Sequence, residues 1–545
     1  MPRRTLVSDQ ILEEAGVMGE VSIHEYPLYF ISVAEDVLSL ELEDAFSDLY
    51  LRKDPNPIFT SAKALMQFQQ RLGLFPRITG KGDNAKRLAS LLIRMRSELI
   101  AGEGGSSSVL DLIPSNSVES LIIIDREVDF PTVLLTQLTY EGLMDEEYGI
   151  SSNQIEVDSS VAGAGTPQAS QASSSAAAQT SPLKRKIVLD GSDALYVTLR
   201  DANCAVVGPM LNKVARRLQS TYENRNTASK TVNELREFVA KLPGYQAEHA
   251  SLKLHTNLAE DIIKRTRSEI FTRLLEVQQN IAAGADPTTQ HDNIEELTAR
   301  DVPLTKVLRL MCLESTMCNG VRPRDLEVFK RCIIEGYGHQ HLLTLSALEK
   351  LGLLEPAAGI AFGRAGGQTG RTTNYAVIRK NLHLIVDEVN EAEPDDIAYV
   401  FSGYAPLSVR LVQCILQKQY ISSLNAPRGA VNQGTAASVG STGWRPFEET
   451  IKQIRGATFD ESQTGEEKAV RAKQMLNGSG PGDVGKTVIV FFLGGISRAE
   501  IAALRFMEGR LRDEGKGRKL VICTTAILSG EKMMKAAIEG RSFSE

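Results

Sequence analysis

The chain has 545 residues, 42% hydrophobic and 24% charged, with a formal net charge of −7. Its length allows roughly three or four domains, and its composition is ordinary for a soluble globular protein. The acidic balance argues against a general nucleic-acid binder, no apolar run approaches the ~18 residues of a membrane span, and the opening MPRRTLVSDQ has no apolar signal core behind its arginines.

Residues 1 to about 34 read as a helix followed by the strand-like SIHEYPLYFIS. Residues 41 to 101 read as helical, because Ala62 to Leu72 and Asn84 to Ile100 carry apolar residues at three- and four-residue spacing. Leu121 to Asp125, LIIID, is a buried strand ending on an acid. Asp129 and Pro131 then fit the cap and first turn of an apolar-rich helix. Open α/β sheets place their ligands at the carboxyl ends of strands, which makes Asp125 a candidate catalytic acid. The simpler reading is a structural pair with Arg126, or a cap on the turn.

Residues 157 to 182 are almost wholly Ala, Ser, Gly, Gln, Thr and Pro, with Asp158 the one charge, so a disordered loop is expected there. Structure resumes at Arg185, and from about 197 to 283 long helices are predicted. Leu242, Pro243 and Gly244 are expected to break one helix, with a second starting near Tyr245, giving an αα-hairpin within 205–283. Leu254, Leu258, Ile262, Leu274 and Val277 fall near one stripe of the second arm. Residues 211 to 280 hold 12 Lys and Arg against 8 Asp and Glu, so this region is basic on an acidic chain.

Residues 302 to 400 stay mostly helical, and 363–373 and 422–443 are Gly-, Ser- and Ala-rich loops. The last hundred residues alternate: VIVFFLGG (488–495) is a buried strand, Ser497 caps a helix, LVICTT (520–525) is another strand, and a helix follows from about Gly530. Alternation implies a parallel sheet, so the segments near 121 and 490 are expected to be halves of one sheet with the helical middle inserted between them.

The six cysteines form no CxxC pair and read as buried thiols, and the seven scattered histidines suggest no metal site. GPGDVGKT (Gly480 to Thr487) matches the phosphate-loop pattern at Gly480, Gly485, Lys486 and Thr487. In a working site a strand enters the loop and a helix leaves it, aiming its amides at the phosphates. Here the order is reversed: VIVFFL leaves as a strand. A nucleotide-dependent ATPase using Lys486 is therefore the alternative reading, and neither a cofactor nor catalysis is expected.

Several long motifs resemble one family. LIIIDREVDFPTVLLTQLTYEGLMDEEYGI and KLPGYQAEHASLKLHTNLAEDI resemble the SM family, the SNARE-binding chaperones of membrane fusion. SGYAPLSVRLVQ (402–413) and VIVFFLGGISRAEIAALRFM (488–507) are most similar to its vacuolar branch, which serves the HOPS and CORVET tethering complexes. The resemblance implies an α/β plus α fold: an SM-type arch with a split parallel-sheet domain and a large inserted helical domain. Residues 1–34 would be the remnant of a first α/β domain, 35–150 and 401–545 the halves of the split domain, and 151–400 the insertion. It also implies a template that holds syntaxin-type and R-type SNARE motifs in register, with contacts near Leu242, Pro243, Tyr245, Leu252 and His255. A helical-repeat subunit of the tether would dock loosely within 320–420, for which GYGHQHLLTLSALEKLGLL is a candidate. Membrane association would be peripheral, at vacuole, lysosome and endosome. The other alternative is a purely structural tether subunit.

Overall fold

A computed structural model of the chain describes residues 11–17, 26–102, 114–162, 184–226, 232–357, 373–424, 443–463, 486–515 and 517–538. In chain order its main elements are β1 (Ile31–Ala34), β2 (Val37–Ser39), α1 (Asn56–Leu72), β3 (Arg77–Lys81), α2 (Asp83–Gly102), β4 (Val118–Asp125), α3 (Tyr140–Tyr148), β5 (Gln154–Asp158), β6 (Lys184–Val188), α4 (Ala194–Leu199), α5 (Cys204–Asn226), α6 (Val232–Thr266) and α7 (Glu269–Ala283). There follow α8 (Pro287–Ala299), α9 (Leu304–Met317), α10 (Pro323–Tyr337), α11 (His341–Leu351), α12 (Leu407–Leu416), β7 (Thr458–Ser462), β8 (Thr487–Leu493), α13 (Arg498–Asp513), β9 (Lys519–Thr524) and α14 (Gly530–Ala537).

The split sheet is as expected, but its halves interleave. The order is β1-β2-β9-β8-β4-β3-β7, so the late strands β9 and β8 lie between the early strands β2 and β4. The β2–β9–β8–β4–β3 run is parallel, and antiparallel β1 and β7 close the two edges. Continuous apolar runs form the centre because both faces are covered: Leu121 to Ile124 and Val488 to Leu493 are 2% exposed or less. The hairpin β1–β2 straddles residues 34 and 35. The crossovers β3–α2–β4 and β8–α13–β9 step the same way across the sheet, and β4 and β8 lie side by side at its centre.

The helical segments depart from expectation at four places. First, 41–101 contains β3 between its two helices; RITGK is short and polar enough to hide from a search for apolar runs. Second, residues 157–162 are ordered: Val157 and Asp158 end β5, with Val157 paired to Arg185, and Ser159–Ala162 is a helical turn. The remainder of that segment lies outside the described residues. Third, α6 runs unbroken through Leu242, Pro243 and Gly244, and the hairpin's two arms are α5 and α6, with residues 227–231 between them outside the described residues. An interior proline costs about 3 kcal/mol, which a 35-residue helix absorbs through the hydrogen bonds on either side. Fourth, the second arm ends at Thr266; Ser268 caps the separate helix α7 through Phe271 N at 3.3 Å, so Leu258 and Ile262 pack in one core and Leu274 and Val277 in another. The strand near the start is also displaced: 26–30 is irregular and β1 begins at Ile31.

All six cysteines are free thiols, and burial pushes Cys204 up to about 11 and Cys414 up to about 12. Among the described residues no helix is long and apolar enough to cross a membrane, and no three His, Cys, Asp or Glu side chains gather as metal ligands.

Candidate functional site

Asp125 ends the central strand β4, at the carboxyl edge of the sheet where open α/β folds form a ligand crevice. Here that crevice is filled. The Tyr50 hydroxyl donates to Asp125 Oδ1 and reaches the Leu493 carbonyl at 3.1 Å. Asn84 N donates to Asp125 Oδ2 at 2.8 Å, and Glu127 N to Oδ1 at 3.3 Å, capping the turn that leaves β4. Gly494 has φ +91° and carries the chain past the Tyr50 ring, where a Cβ would collide with the phenol. Burial raises the Asp125 carboxyl to about 6, with the Glu127 charge pushing the same way and the hydrogen bonds opposing. An acid with both oxygens engaged and no opening beside it is a structural cap.

Arg126 turns away from Asp125. Its Nη1 meets Glu500 at 2.8 and 2.9 Å, and its Nη2 donates to the Asp129 carbonyl at 2.5 Å. Glu500 accepts from Ser497 N at 2.8 Å and Ser497 Oγ at 2.9 Å, completing a capping box on α13, and from the Ser408 hydroxyl. Asp129 caps the following turn through Thr132 N at 3.1 Å and holds Ser408 N at 2.8 Å. All five side chains are fully buried. The network ties the end of β4, the start of α12 and the start of α13 into one joint.

A second buried chain leads from this joint to the hairpin. Arg498 Nη1 pairs with Glu141 on α3, and the Tyr196 hydroxyl donates to the same carboxylate at 2.8 Å. The Tyr196 ring stacks on His255, with centroids 6.1 Å apart and planes 12° from parallel. His255 Nδ1 lies 3.0 Å from the Tyr140 hydroxyl and Nε2 lies 3.1 Å from Asp193 Oδ2. Asp193 also takes Ser251 at 2.8 Å and caps α4. Burial would raise its pKa, but the His255 and Ser251 hydrogen bonds bring it down to about 2. At 1% exposure His255 is therefore not a surface contact. It keys the base of α6 to the body of the protein.

The remaining hairpin candidates separate. Leu242 and Pro243 are helical backbone whose side chains lie outside the described residues. Tyr245 and Leu252 face a groove of about 500 Å³ between α5 and α6, shared with Ala215, Leu218, Gln246 and His249. The Arg217–Glu248 pair at 3.3 Å bridges the two arms. Leu252 is only partly buried, so the groove has an apolar floor and a polar rim.

The phosphate-loop motif falls apart as a site. Gly480 and Gly485 lie outside the described residues, Lys486 is exposed, and Thr487 opens β8 with its amide bonded to the Ser117 carbonyl at 2.8 Å. The chain thus leaves the motif as a strand. In GYGHQHLLTLSALEKLGLL, Leu345, Leu348 and Leu351 are core, while Leu342 and Leu343 on α11 are 60% and 48% exposed.

The Sec1 family matches over residues 1–536. The vacuolar protein sorting-associated protein 33A of Rattus norvegicus is 38% identical over 544 residues, covering 99% of this chain and 81% of that protein. Vacuolar protein sorting-associated protein 33 of Schizosaccharomyces pombe is 31% identical over 546 residues, with the same coverage of 99% and 81%. The fold is similar to the SM protein Vps45 in complex with the Qa SNARE Tlg2, with TM-score 0.56 at 15% identity over 99% of this chain and 82% of that one. It is also similar to the Unc18–syntaxin 1 complex from Monosiga brevicollis, with TM-score 0.58 at 15% identity over 93% of this chain and 76% of that one.

Proposed function

The chain belongs to the Sec1 family, and from that premise we propose that it is an SM-type SNARE chaperone of endosomal and vacuolar or lysosomal membrane fusion, acting as a template rather than a catalyst. The observation that carries this reading is the α5–α6 hairpin: a groove with an apolar floor on a long helix pair, rooted by His255 in a buried polar network. SNARE motifs alone are largely disordered, and ordering them costs entropy. A fixed hairpin that holds one or two of them helical and in register lowers that cost before zippering. The basic balance of residues 211–280 would steer acidic motifs toward it. The proteins of similar fold whose names include a Qa SNARE or syntaxin 1 support the partner class, and the similar vacuolar sorting proteins support the compartment.

On the same reading the partners are syntaxin-type and R-type SNARE motifs, plus a helical-repeat subunit of a HOPS or CORVET tether, with exposed Leu342 and Leu343 within the candidate docking region. Membrane association would be peripheral and through those partners. The test is calorimetric titration of the full chain with purified SNARE-motif peptides. Leu252→Asp and, on the exposed rim, His249→Glu should each weaken binding about tenfold or more with unchanged circular dichroism. Unchanged affinity in both variants would sink the template reading.

A further inference from the structure

A cavity of about 220 Å³ opens where α7 meets the loops that precede α3 and α12. It shares no residue with the hairpin groove. Leu135, Leu275, Ile385, Phe401 and Tyr404 supply its apolar lining. A pocket of about 150 Å³ between apolar side chains admits benzene, so this one has room for a single large aliphatic or aromatic side chain. Gln278 on α7 also lines the cavity and is 3% exposed. Its Oε1 accepts from Thr136 N at 2.8 Å, which leaves Nε2 with no acceptor among the described residues. A buried amide donor in a cavity lining is satisfied by an acceptor that the occupant brings.

The chain between two of the lining segments is acidic. Residues 387–396 hold six carboxylates and no base. Both ends of this loop are fixed at the cavity, because Ile385 and Tyr404 form an antiparallel bridge and Val386 N donates to the Gly403 carbonyl at 2.9 Å. Its middle folds back on the cavity too, since Glu391 Oε1 accepts from the hydroxyl of Ser402, another lining residue, at 2.5 Å. Asp396 is engaged inside the fold by Arg410 at 2.8 Å and Tyr420 at 2.5 Å. The other four acids, Asp387, Glu388, Glu393 and Asp395, are exposed, and their carboxylates have no ion-pair or hydrogen-bond partner among the described residues. Arg510 approaches them but bonds the backbone carbonyl of Asp395. Four uncompensated charges on ten residues, beside an apolar cavity, make a field for an opposite charge that carries an apolar anchor.

We propose that the cavity and the 387–396 loop form one docking surface for a basic segment of a partner protein. One large apolar side chain of that segment would sit in the cavity, and Gln278 Nε2 would donate to a backbone carbonyl beside it. Lysines or arginines on either side of the anchor would meet Asp387, Glu388, Glu393 and Asp395. The anchor in its pocket supplies affinity, and the charges steer encounter and select the partner. This surface does not depend on the SNARE reading of the hairpin.

The experiment is selection of random 12-residue peptides displayed on phage against the full chain, followed by fluorescence-anisotropy titration of the synthetic winners. Winners should carry one large apolar residue among lysines or arginines. Asp387→Lys/Glu388→Lys, on the exposed loop, should weaken them about tenfold or more and flatten their salt dependence. Leu275→Trp, which fills the cavity from a half-buried position, should also weaken them about tenfold, with circular dichroism and salt dependence unchanged. Ala283→Trp, at an exposed lining position, takes its place if the fold is disturbed. Leu252→Asp in the hairpin groove should leave their affinity unchanged. No enrichment, acidic winners, or winners that respond to neither change would overturn the proposal. So would winners that follow the charge reversal alone, since they would need no cavity. Dimerisation of the wild type in sedimentation, abolished by the charge reversal, would give the surface to a second copy of the chain and overturn it as well.

Discussion

Replacing Glu500 by alanine tests whether the buried joint at the end of β4 holds the split domain together. The wild-type carboxylate receives Arg126 at 2.8 and 2.9 Å, Ser497 through both amide and hydroxyl, and the Ser408 hydroxyl, all fully buried. Removing one partner of a buried ion pair costs about 3–5 kcal/mol, because the other charge is left without compensation. Losing the capping box adds about 1 kcal/mol. The two losses overlap, and Asp129 Oδ2 remains 3.7 Å from Arg126, so the net cost should lie near the middle of that range, about 4 kcal/mol. With an unfolding entropy of about 2.1 cal/mol/K per residue over a few hundred residues, this corresponds to a fall in Tm of roughly 5 °C. The assay is urea denaturation followed by circular dichroism, with a thermal scan alongside. Arg126→Met combined with Glu500→Leu should cost less than the two single losses summed, by about 1 kcal/mol or more, since neither member of the pair is left without the other, although buried Asp129 also loses the Arg126 charge. A Glu500→Ala cost below about 1 kcal/mol, or strict additivity in the double variant, would refute the reasoning.

Three further outcomes are expected. His291 on α8 bonds Glu314 of α9 and lies 3.6 Å from Asp325 of α10, with Arg322 opposing; burial alone would lower its pKa, but the Glu314 hydrogen bond and the two carboxylate charges raise it. A raised histidine stabilises below its unfolded value, near 6.5, and the effect is lost as pH rises through the folded value, so stability should fall between pH 6 and 8 in wild type and much less in His291→Gln. Denaturation midpoints across that range decide it, and equal slopes would contradict it. Asp193→Ala should cost about 1–2 kcal/mol through the lost cap and the loosened His255, and should speed proteolysis within α6; unchanged cleavage would show that His255 does not root the hairpin. Finally, titration with magnesium–ATP should give no saturable heat. Tight binding that disappears in Lys486→Ala would restore the nucleotide reading.

The split sheet was legible because its central strands are continuous apolar runs, which only a sheet covered on both faces buries. β3 and β7, RITGK and TFDES, were not legible, since edge and near-edge strands carry polar residues that alternate too briefly to stand out. Ser497 and Ser529 were readable as helix starts, since capping acts over three residues. The break expected at Pro243 and Gly244 gave too much weight to a local signal that the length of α6 overrides. His255 was read as surface because its partners, Tyr140 and Asp193, are 115 and 62 residues away. The same distance effect hid the Arg126–Glu500 pair, 374 residues apart. Tyr50 filling the Asp125 crevice had no sequence signal at all.

The interleaved strand order has a consequence for how the protein is made. On the ribosome, β2 and β4 emerge early, yet the two strands that belong between them are among the last to leave the exit tunnel. At about 5–20 residues per second, tens of seconds pass in which both early strands have open edges. The inserted helices, whose contacts are mostly local, can assemble in that interval, whereas the sheet must wait for β8 and β9 to slot in together. A ribosome stalled just before Thr487 would hold a folded helical unit preceded by two adhesive strands, so the newborn chain is expected to need a holding chaperone until translation is nearly complete.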